Sequence, residues 1–396
     1  LKSLVDDLWI VQKKLILPPA LANKQPDVSA TFGNFGNNGG NGQTAGNFAQ
    51  DLFVPPSPGE FQNWAAKIPA DANRSFNFIH MELPHEPFHF LPNGRSYNFT
   101  NISDVAGPNA QKWAAGEGGV ATTEQRHFIQ TGYADRLTSL LIKDLKRRGI
   151  WDKALVIVTA DHGIDFDPTT YRRIASPGDF GGIANSPLFV KYPSQGRGEI
   201  SDLHTRTVDI VPTIAKELGV KLPYKTLGTP ISEATAGGRV VIKNGLKSTV
   251  SEPFQKMLSE RRLVLQRDNL RFGRDTGLWQ LGPASQLIGK AAPPLSGAGG
   301  SASASLDDAS LWDHVELGGD KKIPAFVAAK LDGVKGNSLI AISVNGRVAA
   351  TCRSFLFNGD TWAGAVVPPQ TLRPGRNSIG IYSIGPGDSL TPLGGN

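Results

Sequence analysis

Six of the seven histidines of this 396-residue chain, His80, His85, His89, His127, His162 and His204, fall between residues 80 and 204. Imidazole is the commonest metal ligand and the side chain whose charge changes near neutral pH, so this cluster marks where chemistry would be carried. The sharpest local signal is Val158-Thr159-Ala160-Asp161-His162-Gly163. An apolar run, Ala154–Thr159, leads straight into an Asp-His pair, and in open α/β sheets ligands collect beyond the carboxyl ends of strands. A loop can turn both side chains toward one ion where a continuing strand would send them to opposite faces, and Gly163 lets the chain turn away at once. A turn aspartate followed by a partly buried, hydrogen-bonded histidine fits the same residues. A calcium loop does not: counted from Asp161 the sixth position is Phe166, and from Asp165 it is Thr170, where that loop needs glycine.

A second group, His80-Met81-Glu82-Leu83-Pro84-His85-Glu86-Pro87-Phe88-His89, has prolines bracketing His85 and Glu86. Fixed φ at each proline and extended bias at its neighbours make a stiff display of polar side chains, suited to a preorganised site. Pro84 forbids the helix interior that a helical zinc-binding histidine pair requires. A third group, Asp202-Leu203-His204-Thr205-Arg206-Thr207-Val208-Asp209, precedes a helix. Asp202 or a nearby threonine would cap it, Ile210, Ile214 and Leu218 would face the core, and His204 would reach toward a bound anion. Arg172-Arg173 could clamp an anion or stand as a solvated pair.

The elements that must position these residues follow from hydrophobic period and punctuation. Residues 1–30 read as an amphipathic helix and a Pro-punctuated loop, and the Asn/Gly-rich residues 32–48 as a surface loop. Ser75–Glu82 reads as a strand. Thr122, Thr123 and Glu124 begin a helix with Phe128, Leu137, Leu140, Leu141 and Leu145 on one side and Gly149 past its end. Ala154–Thr159 reads as a strand buried on both faces, so strand, helix, strand implies a parallel or mixed sheet. A further strand at Pro187–Tyr192 and a helix over Thr205–Leu218, closed by Gly219, extend the layer. Residues 290–305 read as a flexible linker. Beyond it the period switches to two, with strands at Ala325–Leu331, Leu339–Asn345, Arg347–Phe355, Trp362–Val367 and Ser378–Ile384. Asn345-Gly346 is a hairpin turn signal, and about 310–385 reads as a small β-sandwich.

Composition narrows the classes. Lys+Arg 41 against Asp+Glu 35 leaves +6, with no basic run beyond Lys146-Arg147-Arg148, which sits in the last turn of a helix where cations are favoured; nucleic acid is not an expected partner. The single cysteine, Cys352, excludes an internal disulfide and a cysteine zinc cluster. No stretch approaches the roughly 20 apolar residues that span a bilayer, so the chain reads as soluble. Asn73, Asn98 and Asn101 head Asn-x-Ser/Thr triplets, a glycosylation pattern that chance also produces.

Taken together and in this order, the three groups resemble the sulfatase branch of the alkaline-phosphatase superfamily. More narrowly they resemble its membrane-anchored, extracytoplasmic sulfatases of actinobacterial type, in which a strand leads to a Leu-Pro-His-x-Pro loop, then a long helix, then a strand ending Thr-Ala-Asp-His-Gly. The resemblance is carried by Phe78–Gly94, Thr131–Arg136, Val156–Gly163 and His204–Thr213. It implies a three-layer mixed α/β sheet, incomplete here, over residues 1–235, a connecting segment over 236–305 and an all-β sandwich-like appendage over 306–396. By the resemblance Asp161 and His162 are metal ligands, His85 is catalytic and faces the substrate oxyanion, and His204 lines the substrate site. One divalent ion is implied, with zinc or manganese favoured over calcium or magnesium because imidazole suits them better.

The resemblance implies a hydrolase or phosphotransferase-like enzyme acting on sulfate or phosphate esters. The departures from its pattern are specific. Leu1–Arg74 supplies neither a nucleophile nor an acidic first ligand. Cys352 is followed by Arg353-Ser354-Phe355 and not by the sulfatase Cys-x-Pro-x-Arg pattern. Met81 stands where two-metal relatives place an aspartate, which favours one metal. The chain is therefore expected to be the carboxyl-terminal portion of an extracytoplasmic enzyme whose nucleophile and membrane anchor lie upstream. A second expectation, of a different class, is an inert envelope protein whose β region binds cell-wall glycan or a partner through Trp312 and Trp362; core packing is the competing account of those tryptophans.

Overall fold

A computed structural model describes residues 57–71, 75–106, 111–177, 180–244, 248–272, 279, 284–295, 301–319 and 322–394. The expected helix at 1–30 and loop at 32–48 lie outside them, as does Asn73. By contact the chain divides into two units, Ser57–Phe78 with Leu83–Asn396 in one and Leu1–Pro56 with Ile79–Glu82 in the other. Of the second unit only Ile79–Glu82 are described, and they run without helix or strand. Ser75–Phe78 likewise takes no ladder, with Phe76 and Phe78 exposed. The strand expected over Ser75–Glu82 is thus not seen, and among the described residues nothing pairs with this segment.

Helix α1, Pro58–Ala66, opens with a capping box in which Ser57 and Glu60 satisfy each other's backbone N–H groups, and Pro58 sits where no N–H is needed. Its end is fastened to the end of α2, Glu117–Arg147, because Arg148 donates to the Ala65 and Ile68 carbonyls and pairs with Asp144. Helix α2 starts earlier than Thr122 and Thr123 suggested. The reason is tertiary: a Cβ on Gly118 would stand 2.6 Å from the Arg353 carbonyl oxygen, so only glycine lets the first turn lie that close to the neighbouring strands. Thr122 Oγ1, read as a helix start, instead donates to the Gly364 carbonyl at 2.8 Å. Leu137 and Leu145 are buried as expected, while Phe128, Leu140 and Leu141 are only half-buried.

Strands β1, Val156–Thr159, and β2, Leu188–Lys191, form an antiparallel pair in the register Val156 to Lys191 through Thr159 to Leu188. Among the described residues β1 has no second neighbour, so Val156–Val158 are half-buried and not enclosed on both faces, and the parallel crossover expected there is not seen. Helix α3, Ile210–Leu218, ends at Gly219 in the left-handed conformation. Its entry is held by Asp209, not Asp202: the Asp209 carboxylate accepts from the Arg206 and Thr229 backbone N–H groups and from the Arg206 guanidinium. Pro212, Thr213 and Ala215 are its buried face, and Leu218 is exposed.

The hairpin β3, Arg239–Asn244, and β4, Ser248–Pro253, leads into α4, Phe254–Phe272. Phe254 and Met257 of α4 pack with Phe180 and Ile183, under partly buried Val240, Ile242 and Val250.

The remaining strands are β5 Ser303–Leu306, β6 Phe326–Asp332, β7 Leu339–Val344, β8 Arg347–Arg353, β9 Phe355–Phe357, β10 Asp360–Val366, β11 Ile379–Ile384 and β12 Leu390–Pro392. They build two four-stranded sheets, β5-β6-β10-β9 and β12-β11-β7-β8, every pair antiparallel. Alternate residues of both sheets, among them Val327, Ala329, Ile340, Ile342, Ala363 and Ala365, share one core, the arrangement of a β-sandwich. Asn345 and Gly346 both have positive φ, as the expected hairpin turn requires. Strand β5 takes up Ser303–Leu306, partly within the stretch read as a linker. Trp312 and Trp362 are buried, which removes them as a sugar platform. Asn98 is buried too, its amide bonding the Phe326 backbone as donor and acceptor, so it is no glycosylation site. No helix among the described residues is long and apolar enough to cross a membrane.

Candidate functional site

Two loops meet around one guanidinium. The first is the proline-bracketed loop carrying His85, clamped from α2. Gln130, 2% exposed, donates from Nε2 to the His85 carbonyl at 2.6 Å and accepts at Oε1 from the His89 and Phe90 N–H groups at 3.0 and 3.1 Å. One turn back, the fully buried Arg126 donates to the Phe88 and Ser103 carbonyls. Glu86 turns the other way and pairs with Arg172, whose guanidinium lies 4.3 Å over the Trp113 ring. A buried cation held by a carboxylate and an aromatic face fixes the loop at its centre.

The second loop follows β1. Asp161 Oδ1 accepts from the His162 N–H at 2.9 Å, which turns the carboxylate back over the backbone. Gly163 donates to the Ile183 carbonyl at 2.8 Å, and a Cβ there would stand 2.1 Å from the Gly182 oxygen, so the glycine expected for a turn is required by close approach. Asp165 is tied at both ends: its N–H donates to Arg172, its carbonyl accepts from the Trp113 indole, and its carboxylate accepts from Thr170 and Arg267.

Arg173 joins the loops. Its guanidinium lies 3.1 Å from His85 Nε2 and 2.9 Å from His162 Nε2. A guanidinium only donates, so both Nε2 atoms are acceptors and each ring carries its proton on Nδ1. The backbone agrees: Nδ1 of His162 is 2.8 Å from the Gly163 carbonyl, and Nδ1 of His85 is 2.5 Å from that of Glu86. Both imidazoles therefore turn Nε2 toward one cation. Asp161 Oδ2 lies 3.7 Å from His162 Nε2, and its side chain is 81% exposed. Carboxylate and imidazole are donor types that divalent ions take, and the contact of Nδ1 with a carbonyl is of the kind that supports metal-ligating histidines. Among the described residues no three His, Cys, Asp or Glu side chains gather as a ready metal cage.

The Sulfatase family model matches residues 61–220. Over those residues the chain is similar to the sulfatases. No curated protein matches it. Both loops, helix α2 and the β1–β2 pair lie inside the matched residues. Much of what steadies the two loops lies outside the matched residues, on α4. Arg267 holds Asp165, and Arg271 donates to Glu117, to Glu124 and to the Phe166 carbonyl at 2.7 to 2.8 Å. Burial, with Asp268 beside it, pushes the Glu124 carboxyl up to about 8 against the pull of Arg271.

His204 is held elsewhere in the domain. Its Nδ1 is 3.0 Å from the Gly237 carbonyl and its ring stacks on Phe254 at 4.5 Å, outside the cluster around Arg173. Burial draws His89 and His127 down to about 4, so both are neutral at ordinary pH. His127 sits among Phe88, Phe128 and Phe166 as an aromatic packing group. Gln130 and Arg267 are the site residues that motif reading passed over, while Arg173 was named with Arg172 as an anion clamp or a solvated pair. A mid-helix glutamine carries no sequence signal, and charge alone marked Arg173, eleven residues past His162 in the same loop, without telling it from Arg172.

Proposed function

We propose that the sulfatase domain hydrolyses sulfate esters, or the isosteric phosphate esters, with one divalent metal ion held by Asp161 and His162. The observation that carries this reading is the pair of Nδ1-protonated imidazoles whose Nε2 atoms converge on a single cation. An ion bound there, zinc or manganese by ligand type, would supply Lewis-acid polarisation of an ester oxygen. The chain's own groups do the rest. His162 is oriented by the Gly163 carbonyl. His85, set by Gln130, offers Nε2 to take a proton and, once protonated, to donate it to an oxygen of the bound group. Arg173 adds positive charge where the anion must sit. His204, with Nδ1 on the Gly237 carbonyl, keeps Nε2 for the outer part of the substrate.

The motif resemblance adds to this a three-layer α/β sheet over residues 1–235, an appendage over residues 306–396 and a membrane-anchored, extracytoplasmic setting. The test of the proposal is turnover of an aryl sulfate and an aryl phosphate by the full chain, with and without zinc or manganese. Metal-dependent turnover lost in His85→Ala supports it. Turnover unaffected by a chelator and by His85→Ala rejects it.

A further inference from the structure

The next inference rests on the metal reading above and concerns Arg173. The side chain is exposed, and among the described residues its guanidinium is bonded to His85 Nε2 and His162 Nε2 alone. A lone pair serves one partner at a time, so a metal ion cannot take His162 Nε2 while Arg173 donates to it. Two cations at that spacing would also repel. Arginine, on a long side chain anchored next to the buried Arg172, can leave without disturbing the loop, because it is Arg172 that is locked by Glu86 and Trp113. The departing group is a planar fork that matches two oxygens of a sulfate or phosphate.

We propose that Arg173 and a divalent ion are alternative occupants of the cation position at His162, and that the guanidinium released by the ion becomes the bidentate donor to the ester's anionic group. Metal loading thereby prepares the anion site, and without metal the guanidinium holds the two imidazoles in register. This gives Arg173 two roles in sequence, a stand-in cation and then a substrate-binding residue.

The experiment is calorimetric titration of zinc chloride into the full chain, wild type against Arg173→Met and Arg173→Gln, followed by titration of inorganic sulfate into each zinc-loaded protein. Both substitutions are at an exposed position, and matched circular dichroism spectra verify the fold. Zinc is expected to bind both variants about tenfold more tightly, since it no longer displaces two charge-assisted hydrogen bonds, and sulfate about tenfold more weakly. Zinc affinity unchanged or lowered in both variants overturns the exchange. Tighter zinc with unchanged sulfate overturns the anion-binding role. If zinc binds no form of the chain, or binds equally after Asp161→Ala, it is the metal reading underneath that fails.

Discussion

Replacing Gln130 with leucine tests whether α2 sets the His85 loop. The amide is 2% exposed and makes three hydrogen bonds, one donated to the His85 carbonyl and two accepted from His89 and Phe90. Leucine fills nearly the same volume, so packing changes little and the loss is polar. One carbonyl and two N–H groups lose their partner. A buried group left unsatisfied costs about 1–3 kcal/mol, but these backbone groups are only partly buried and water replaces part of the loss, so the sum is about 2–4 kcal/mol. Urea unfolding followed by tryptophan fluorescence reads that cost. Gln130→Glu keeps the two accepting bonds and loses the donated one, so it falls between leucine and wild type. The same proteins, titrated with zinc, separate position from stability: His85 is not assigned as a ligand, so zinc affinity stays within about twofold while His85-dependent turnover falls. A Gln130→Leu protein within about 0.5 kcal/mol of wild type would refute the clamp.

Other predictions follow from the same contacts. Arg271→Met takes the guanidinium from the buried Glu124 and from Glu117 and lowers stability by about 2–4 kcal/mol in urea unfolding. Glu124 is held above its usual 4.5, at about 8, so the folded chain keeps a proton that the unfolded chain has released between those values. Its contribution to stability is therefore fullest below about 4.5 and is lost as pH rises toward about 8, by on the order of 5 kcal/mol; Glu124→Gln flattens that fall, and an unchanged pH profile contradicts it. Gly163→Ala places a methyl 2.1 Å from the Gly182 oxygen, so the loop shifts and zinc affinity drops about tenfold or more in calorimetry.

The sandwich was readable because period two and an Asn-Gly turn are local signals, and the strands at 326–332, 339–344, 347–353, 360–366 and 379–384 stand within a few residues of where alternation puts them. Helix α2 was misplaced at its start because Gly118-Gly119 looks like a helix breaker locally and is a packing requirement globally. Ser75–Glu82 has a strand's pattern without a strand's partner. Within the site, His85, Asp161 and His162 were visible as polar groups at strand ends and between prolines. The adjacent Arg172 and Arg173 were not separable by sequence: one is buried against Trp113 and Glu86, the other exposed on the imidazoles. Arg271 and Glu124 stand 147 residues apart, a distance across which charge pairing leaves no local trace.

The central claim is that Asp161 and His162 bind one divalent ion, and zinc-edge X-ray absorption on the zinc-loaded chain tests it most directly. The account predicts one bound zinc with imidazole nitrogen and oxygen neighbours at about 2.0–2.2 Å, the imidazole signal disappearing in His162→Ala and an oxygen neighbour in Asp161→Ala. A spectrum without imidazole scattering, or one unchanged by both substitutions, would contradict it.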